Sequence, residues 1–165
     1  MSERVWAPWR MQYILEPGRP EGCVLCGHAG SAPSRDSLVL CQARHAFVVL
    51  NKYPYSAGHV MVVPRRHAKL LDELELDEHD ALFRLVREAA TRLAAAVAPE
   101  GLNVGINLGR AAGAGIADHL HVHLVPRWVG DNSFMPVVGD VRVMNEHLGA
   151  TWDRLAPAFA DLAGA

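Results

Sequence analysis

The sequence predicts an α+β fold, a mostly antiparallel five-stranded sheet with one long helix packed on it and a helical C-terminal tail. Three observations carry that expectation. Short β-branched runs bounded by turn residues fill the middle of the chain. Only one long stretch has helical periodicity. Stretches able to serve as crossover helices are otherwise few, so neighbouring strands must pair through turns rather than run parallel.

Residues 38–41 form a short apolar strand. Residues 45–50 (HAFVVL) and 59–63 (HVMVV) are richer in β-branched side chains and are bounded by Asn51-Lys52-Tyr53-Pro54 and by Pro64. Pro54 and Gly58 in the turn between them predict an antiparallel pair. From 77 to 97 the period changes: Leu82, Leu85, Val86, Ala89, Leu93 and Val97 share a helical face, Asp77 is the expected N-cap, and Pro99 and Gly101 stop the helix. Residues 102–108 read as a fourth strand. A glycine-rich turn, 109–115, leads into a fifth, 119–125, ended by Pro126. The tail from 142 to 162 is helical in parts and interrupted by Pro157.

A chain of 165 residues fits one domain, 1–165, with an N-terminal arm and a CxxC in 1–30, a core over 38–130 and a tail over 131–165. The arm carries Trp6, Trp9 and Tyr13 and breaks at Pro17-Gly18-Arg19-Pro20. Half the residues are hydrophobic and the formal charge is −2, which argues against a nucleic-acid partner. A polyphosphate ligand would need a local cluster of donors. No window is apolar enough to span a bilayer and the N-terminus lacks a signal-peptide core, so the expected location is the cytoplasm. Three cysteines do not make a secreted disulfide framework. Cys41 lies in an apolar run as an expected core thiol.

The chemistry concentrates in His119-Leu120-His121-Val122-His123. On a strand, alternate side chains share a face, so the three imidazoles would line one cleft at steps of roughly 6.6–6.8 Å. Leu120, Val122 and Leu124 would face the long helix. With an unperturbed pKa of about 6.5, imidazole can act as nucleophile, acid or metal ligand near neutral pH. Three in five residues exceed what a wet strand requires.

HLHVHLV followed by Pro126-Arg127 resembles the histidine-triad (HIT) pattern, and the similarity extends to Asn51, to Gly58-His59 and to the glycine turn. The arm VWAPWRMQYI and the stretch GINLGRAAGAGIADHLHVHLVPRWVGDNSFMPV are most similar to a bacterial branch that includes diadenosine tetraphosphate phosphorylases. The resemblance implies an enzyme of HIT-like fold that transfers a nucleotide in two steps through a covalent nucleotidyl-histidine. His121 would be the nucleophile, His123 would donate to the transferring phosphoryl group or its leaving oxygen, and His59 would brace the same region. Asn51 falls where relatives bind ribose hydroxyls, although an asparagine there also suits a turn. Asn107 and Arg110 are expected phosphate or leaving-group contacts, and Gly113 and Gly115 would present N–H groups as an anion nest. Relatives often carry serine or glutamine at the position of Ile116. They also imply a homodimer through the long helix and its neighbouring strand. The resemblance leaves three activities open: phosphorolysis with phosphate as co-substrate, hydrolysis of dinucleoside polyphosphates or phosphoramidates, and nucleotide binding without turnover.

Cys23 and Cys26 have the spacing of half a tetrahedral zinc site, with His28, His45, His67 and His119 available to complete it. A redox CxxC is disfavoured because no thioredoxin-like βαβ context surrounds it. Some triad proteins pair a CxxC with a histidine after the second core strand and with the first motif histidine. That resemblance points to His67 and His119 and implies a closed, structural zinc.

Overall fold

The computed structural model describes residues 22–131 and 146–162. The aromatic arm with Trp6, Trp9 and Tyr13, and the parts of the tail between 132 and 145, lie outside the described residues. Five strands, β1 (Val39–Gln42), β2 (Ala46–Leu50), β3 (Val60–Pro64), β4 (Gly101–Ile106) and β5 (Val122–Arg127), form one antiparallel sheet in the order β1-β2-β3-β5-β4. Among the described residues three helices accompany it: α1 (Val24–Ala29), α2 (Leu76–Val97) and α3 (Leu148–Phe159). Among the described residues no helix is long and apolar enough to cross a membrane.

The central strands are buried on both faces, which explains their continuous apolar runs. On one face Val48, Leu50, Val60, Val62, Val122 and Leu124 pack against Leu82, Leu85, Val86, Ala89 and Leu93 of α2 and against Leu155 and Phe159 of α3. Burying each such side chain contributes about 1.5–3 kcal/mol. The opposite face gathers Phe47, Val49, Met61 and Val63 around Leu25 of α1, with Ile116 packed at its margin. Ile116 thus contributes apolar packing rather than a polar contact.

The N-cap of α2 is Glu75, not Asp77: the Glu75 N–H donates to Glu78 Oε2 at 3.0 Å, and Asp77 Oδ1 accepts from the Glu78 N–H at 3.0 Å inside the first turn. Arg66 grips Glu78 as well, holding its carboxyl down to about 2 through a side-chain hydrogen bond. At the other end Ala98 takes a left-handed conformation (φ 43°, ψ 56°), with its N–H on Ala94 O at 3.1 Å. Non-glycine residues cost about 1–2 kcal/mol there. Replacing Ala98 by glycine relieves that strain while loosening the unfolded chain by about 0.4–1 kcal/mol. Ala98→Gly should therefore raise Tm by about 1–4 °C. A thermal melt checks this, and a lower Tm would show that the methyl group matters more than the backbone.

β5 departs from expectation at both ends. It continues through Pro126, which pairs with Leu102 of β4. The β3 partner ladder stops at Val60↔Leu124, so on that side the proline has no strand bond to lose. Its regular pairing starts only at Val122, opposite Val62 of β3 and Ile106 of β4, and ahead of it the Leu120 N–H donates to Ala68 O at 2.7 Å. β4 ends at Ile106, two residues earlier than its apolar run suggests, where the chain turns toward the glycine-rich segment. The C-terminal helix runs through Pro157, which is exposed in its final turn while Leu155 and Phe159 anchor the buried side.

Candidate active site and metal centre

Gly58 starts the site. Its φ of 77° suits glycine, and a Cβ there would lie 3.3 Å from Pro126 Cγ, so a side chain would be strained. The turn delivers His59, fully buried, against β5. His59 Nδ1 accepts the Tyr55 N–H at 3.1 Å and faces Asn51 Nδ2 at 3.4 Å. A ring nitrogen that accepts from a backbone N–H carries no proton, so the His59 proton is on Nε2. That Nε2–H donates to His123 Nδ1 at 3.0 Å, which in turn places the His123 proton on Nε2. One backbone amide thereby sets the tautomers of two histidines. The ring of Tyr55 covers both, with centroids 4.7 Å from His59 and 5.7 Å from His123.

His121 is assigned the opposite way. Its Nδ1–H donates to the His119 carbonyl at 2.8 Å, leaving the lone pair on Nε2. Its ring meets His123 edge-on, with centroids 4.8 Å apart. Burial pushes the His121 imidazole below its usual range, partly offset by the carbonyl it faces. The neutral form therefore dominates at pH 7. The arrangement sets an unprotonated Nε2 beside an Nε2–H donor on two buried imidazoles, which suits nucleophilic attack on a group whose oxygens need a hydrogen bond.

The polar residues expected around this pair fall into two groups. Asn51 does what a turn asparagine does, accepting the Tyr53 N–H on Oδ1 at 2.9 Å, while its amide nitrogen faces His59. Asn107 follows Ile106, the β4 partner of Val122, which sets it beside the His121 end of β5. Arg110 opens the short turn 110–112 and is exposed. In that turn the N–H groups of Ala112 and Ala114 donate to Gly109 O and that of Gly113 to Arg110 O. These three groups close the turn rather than point outward. Gly113 is left-handed at φ 91°, and Gly115 is exposed just beyond it.

His119 is turned away from the other two triad histidines. Its Nε2–H donates to Pro64 O at 3.0 Å, so Nδ1 is the bare nitrogen, and this faces Cys23 Sγ at 3.2 Å and Cys26 Sγ at 3.5 Å. His67 Nδ1 lies 3.2 Å from Cys26 Sγ. The four ligand atoms of Cys23, Cys26, His67 and His119 lie within 4.8 Å of one another, a set able to hold a metal ion. His28 and His45, the other ligands open from spacing, are not in it. With Zn–S near 2.3 Å and Zn–N near 2.0–2.1 Å, a tetrahedral centre has S···N edges of about 3.5 Å, close to these separations. A backbone carbonyl fixing the ring through its second nitrogen is the usual support of a metal-bound histidine. Burial and the neighbouring Cys23 both raise the Cys26 thiol, an opposition to thiolate that a bound cation reverses. Cys41 sits apart in the core, pushed up to about 11 by burial.

Three contributors were not legible as residue types: the Tyr55 N–H, the Pro64 carbonyl and the Ala68 carbonyl act through the backbone. α1, which carries Cys26, was also missed; its 6 residues are too few for a periodic pattern to stand out.

Known proteins place this geometry in context. The chain is 35% identical over 170 residues to an AP-4-A phosphorylase of Mycobacterium tuberculosis, covering 96% of this chain and 85% of that one. It is 32% identical over 97 residues to an asymmetrical bis(5'-nucleosyl)-tetraphosphatase of Schizosaccharomyces pombe, covering 59% of this chain and 53% of the relative. The solved structure of a zinc-bound histidine triad family protein from Mycobacterium smegmatis superposes with a TM-score of 0.67 at 25% identity, covering 86% of this chain and 95% of that one. The HIT domain pattern matches residues 32–129, more than half of the chain, and with these relatives it shows that the protein belongs to the HIT domain family.

Proposed function

We propose that this protein is a nucleotidyl transferase that cleaves diadenosine polyphosphates by phosphorolysis, with His121 as its nucleophile. The observation that carries the reading is the 2.8 Å bond from His121 Nδ1–H to the His119 carbonyl, which reserves Nε2 for attack. In the first displacement the Nε2 lone pair forms a bond to an α-phosphorus and the bond to the bridging oxygen breaks. From diadenosine tetraphosphate the leaving group is ATP. In the second, an oxygen of inorganic phosphate attacks the same phosphorus, the N–P bond breaks, ADP departs and the Nε2 lone pair is restored. Two displacements replace one difficult transfer. His123 Nε2–H donates to the oxygens of the transferring group, and His59 keeps that hydrogen bond aimed. Asn51, Asn107, Arg110 and Gly115 supply the nucleotide and phosphate contacts, the Gly113 N–H being engaged by Arg110 O within the turn. Similarity to a named AP-4-A phosphorylase across 96% of the chain favours phosphate as acceptor.

Product identity tests the reading. With diadenosine tetraphosphate, chromatography should find ADP plus ATP, formed only when phosphate is present. AMP plus ATP in phosphate-free buffer would assign water as the acceptor and end the phosphorolysis reading.

Cys23, Cys26, His67 and His119 hold zinc in this proposal, a structural ion that neutralises the thiolates and ties α1 to the start of β5. Metal analysis of protein purified without chelator should find about one zinc per chain; none, with both thiols freely titratable, would remove it. The cytoplasm, where thiols stay reduced, is the compartment that suits such a site. A second copy is expected against β4, an edge strand whose Val104 is 50% exposed, with Leu108 just beyond it 44% exposed. Light scattering should give the mass of a dimer.

A further inference from the structure

We propose that the Cys23/Cys26/His67/His119 cluster governs the reactive form of His121, with His119 as the positioning residue that joins the two sites. The inference rests on the proposed roles of His121 as nucleophile and of the cluster as a metal site.

His119 is engaged at three polar atoms. Its Nε2–H is on Pro64 O at 3.0 Å, its Nδ1 faces the two cysteine sulfurs at 3.2 and 3.5 Å, and its carbonyl accepts the His121 Nδ1–H at 2.8 Å. Elsewhere on β5 the backbone is held by strand pairing, but that pairing begins at Val122. Ahead of it the chain is tied by the Leu120 N–H on Ala68 O and by the His119 imidazole. The His119 carbonyl and the Leu120 N–H belong to one peptide, so the acceptor offered to His121 is oriented by two tethers: the Ala68 carbonyl, next to His67, and the His119 side chain, and both lead into the cluster.

The consequence concerns a proton's position rather than its loss. A neutral imidazole has two tautomers, and which one prevails is set by the bond its other nitrogen makes. While the His119 carbonyl is held in place, the proton stays on His121 Nδ1. Once the cluster lets go of His67 and His119, both tethers of that peptide loosen, the carbonyl can turn away and the proton can move to Nε2, which removes the attacking lone pair. Supporting partners one step from a reactive or metal-bound group typically matter by about 10–100-fold. Metal occupancy at the cluster should change kcat by that much with little effect on KM.

The test reads the tautomer directly. Full-length protein labelled with ¹⁵N-histidine is compared by two-bond ¹H–¹⁵N correlation before zinc removal, after chelation and dialysis, and after zinc is restored. The expected result is an Nδ1–H signature for His121 with zinc, mixed tautomers without it, and recovery on addition. His119→Ala should give the mixed signature and lower kcat by about 10–100-fold. His119→Cys, which keeps four donors and the same carbonyl, should recover most of both. If His119→Ala does not fold, the stripped wild type carries the test. A His121 that keeps its Nδ1–H signature after zinc removal overturns the proposal. A shifting tautomer in a protein that turns over no dinucleotide sustains the coupling and overturns the proposed reaction instead.

Discussion

His121→Asn is expected to lower kcat on diadenosine tetraphosphate by about 10⁴-fold or more, the scale seen when a nucleophile is removed from a catalytic set. Asparagine is the informative choice because its amide can still donate to the His119 carbonyl, as Nδ1–H does at 2.8 Å. It removes the Nε2 lone pair while leaving the local hydrogen bond and most of the volume. Affinity for AMP and the melting temperature should change little, which separates lost chemistry from lost structure. Acid-quenched wild type exposed to substrate should carry an added AMP on the peptide containing His121, and the variant should carry none. Turnover within tenfold of wild type would dismiss His121 as nucleophile. A wild type that binds AMP and turns over no dinucleotide would favour a binding module.

The three motif histidines also mark how far residue pattern reaches. Alternation placed Leu120, Val122 and Leu124 against α2, and they do line that core. The same alternation put all three imidazoles in one cleft, and here it failed. It assumes a regular strand, yet pairing starts at Val122, and His119 sits where the chain is held by Pro64 and Ala68 carbonyls. Apolar periodicity reports on buried faces, so β2, β3 and α2 were legible to within a residue or so at their ends. A hydrogen bond to a backbone group leaves no trace in residue type. The Tyr55 amide that assigns the tautomers of His59 and His123 acts only once the 51–59 turn is folded. Pro126 misled for a related reason: proline ends a strand only where its missing N–H would have had a partner.

Zinc removal carries the second large expected effect, a fall in Tm of about 8–16 °C. A ligand that binds only the native state, present at a thousand times its Kd, contributes about 4.1 kcal/mol. For a chain of this length each kcal/mol moves Tm by about 2–4 °C. The effect should be global rather than confined to α1, because the cluster closes long loops: Cys23 and His119 lie 96 positions apart, Cys26 and His67 41. Besides the cluster, α1 is held by Leu25, its one fully buried side chain, and by the Gln42 amide on His28 O at 2.8 Å. Melting curves with and without chelator check the wild type. Cys26→Ser, which removes one ligand, should melt near the chelated wild type and should not drop further when chelator is added. A protein shown to carry zinc whose Tm ignores chelation, with the metal confirmed gone, would mean that the cluster ties nothing the fold depends on.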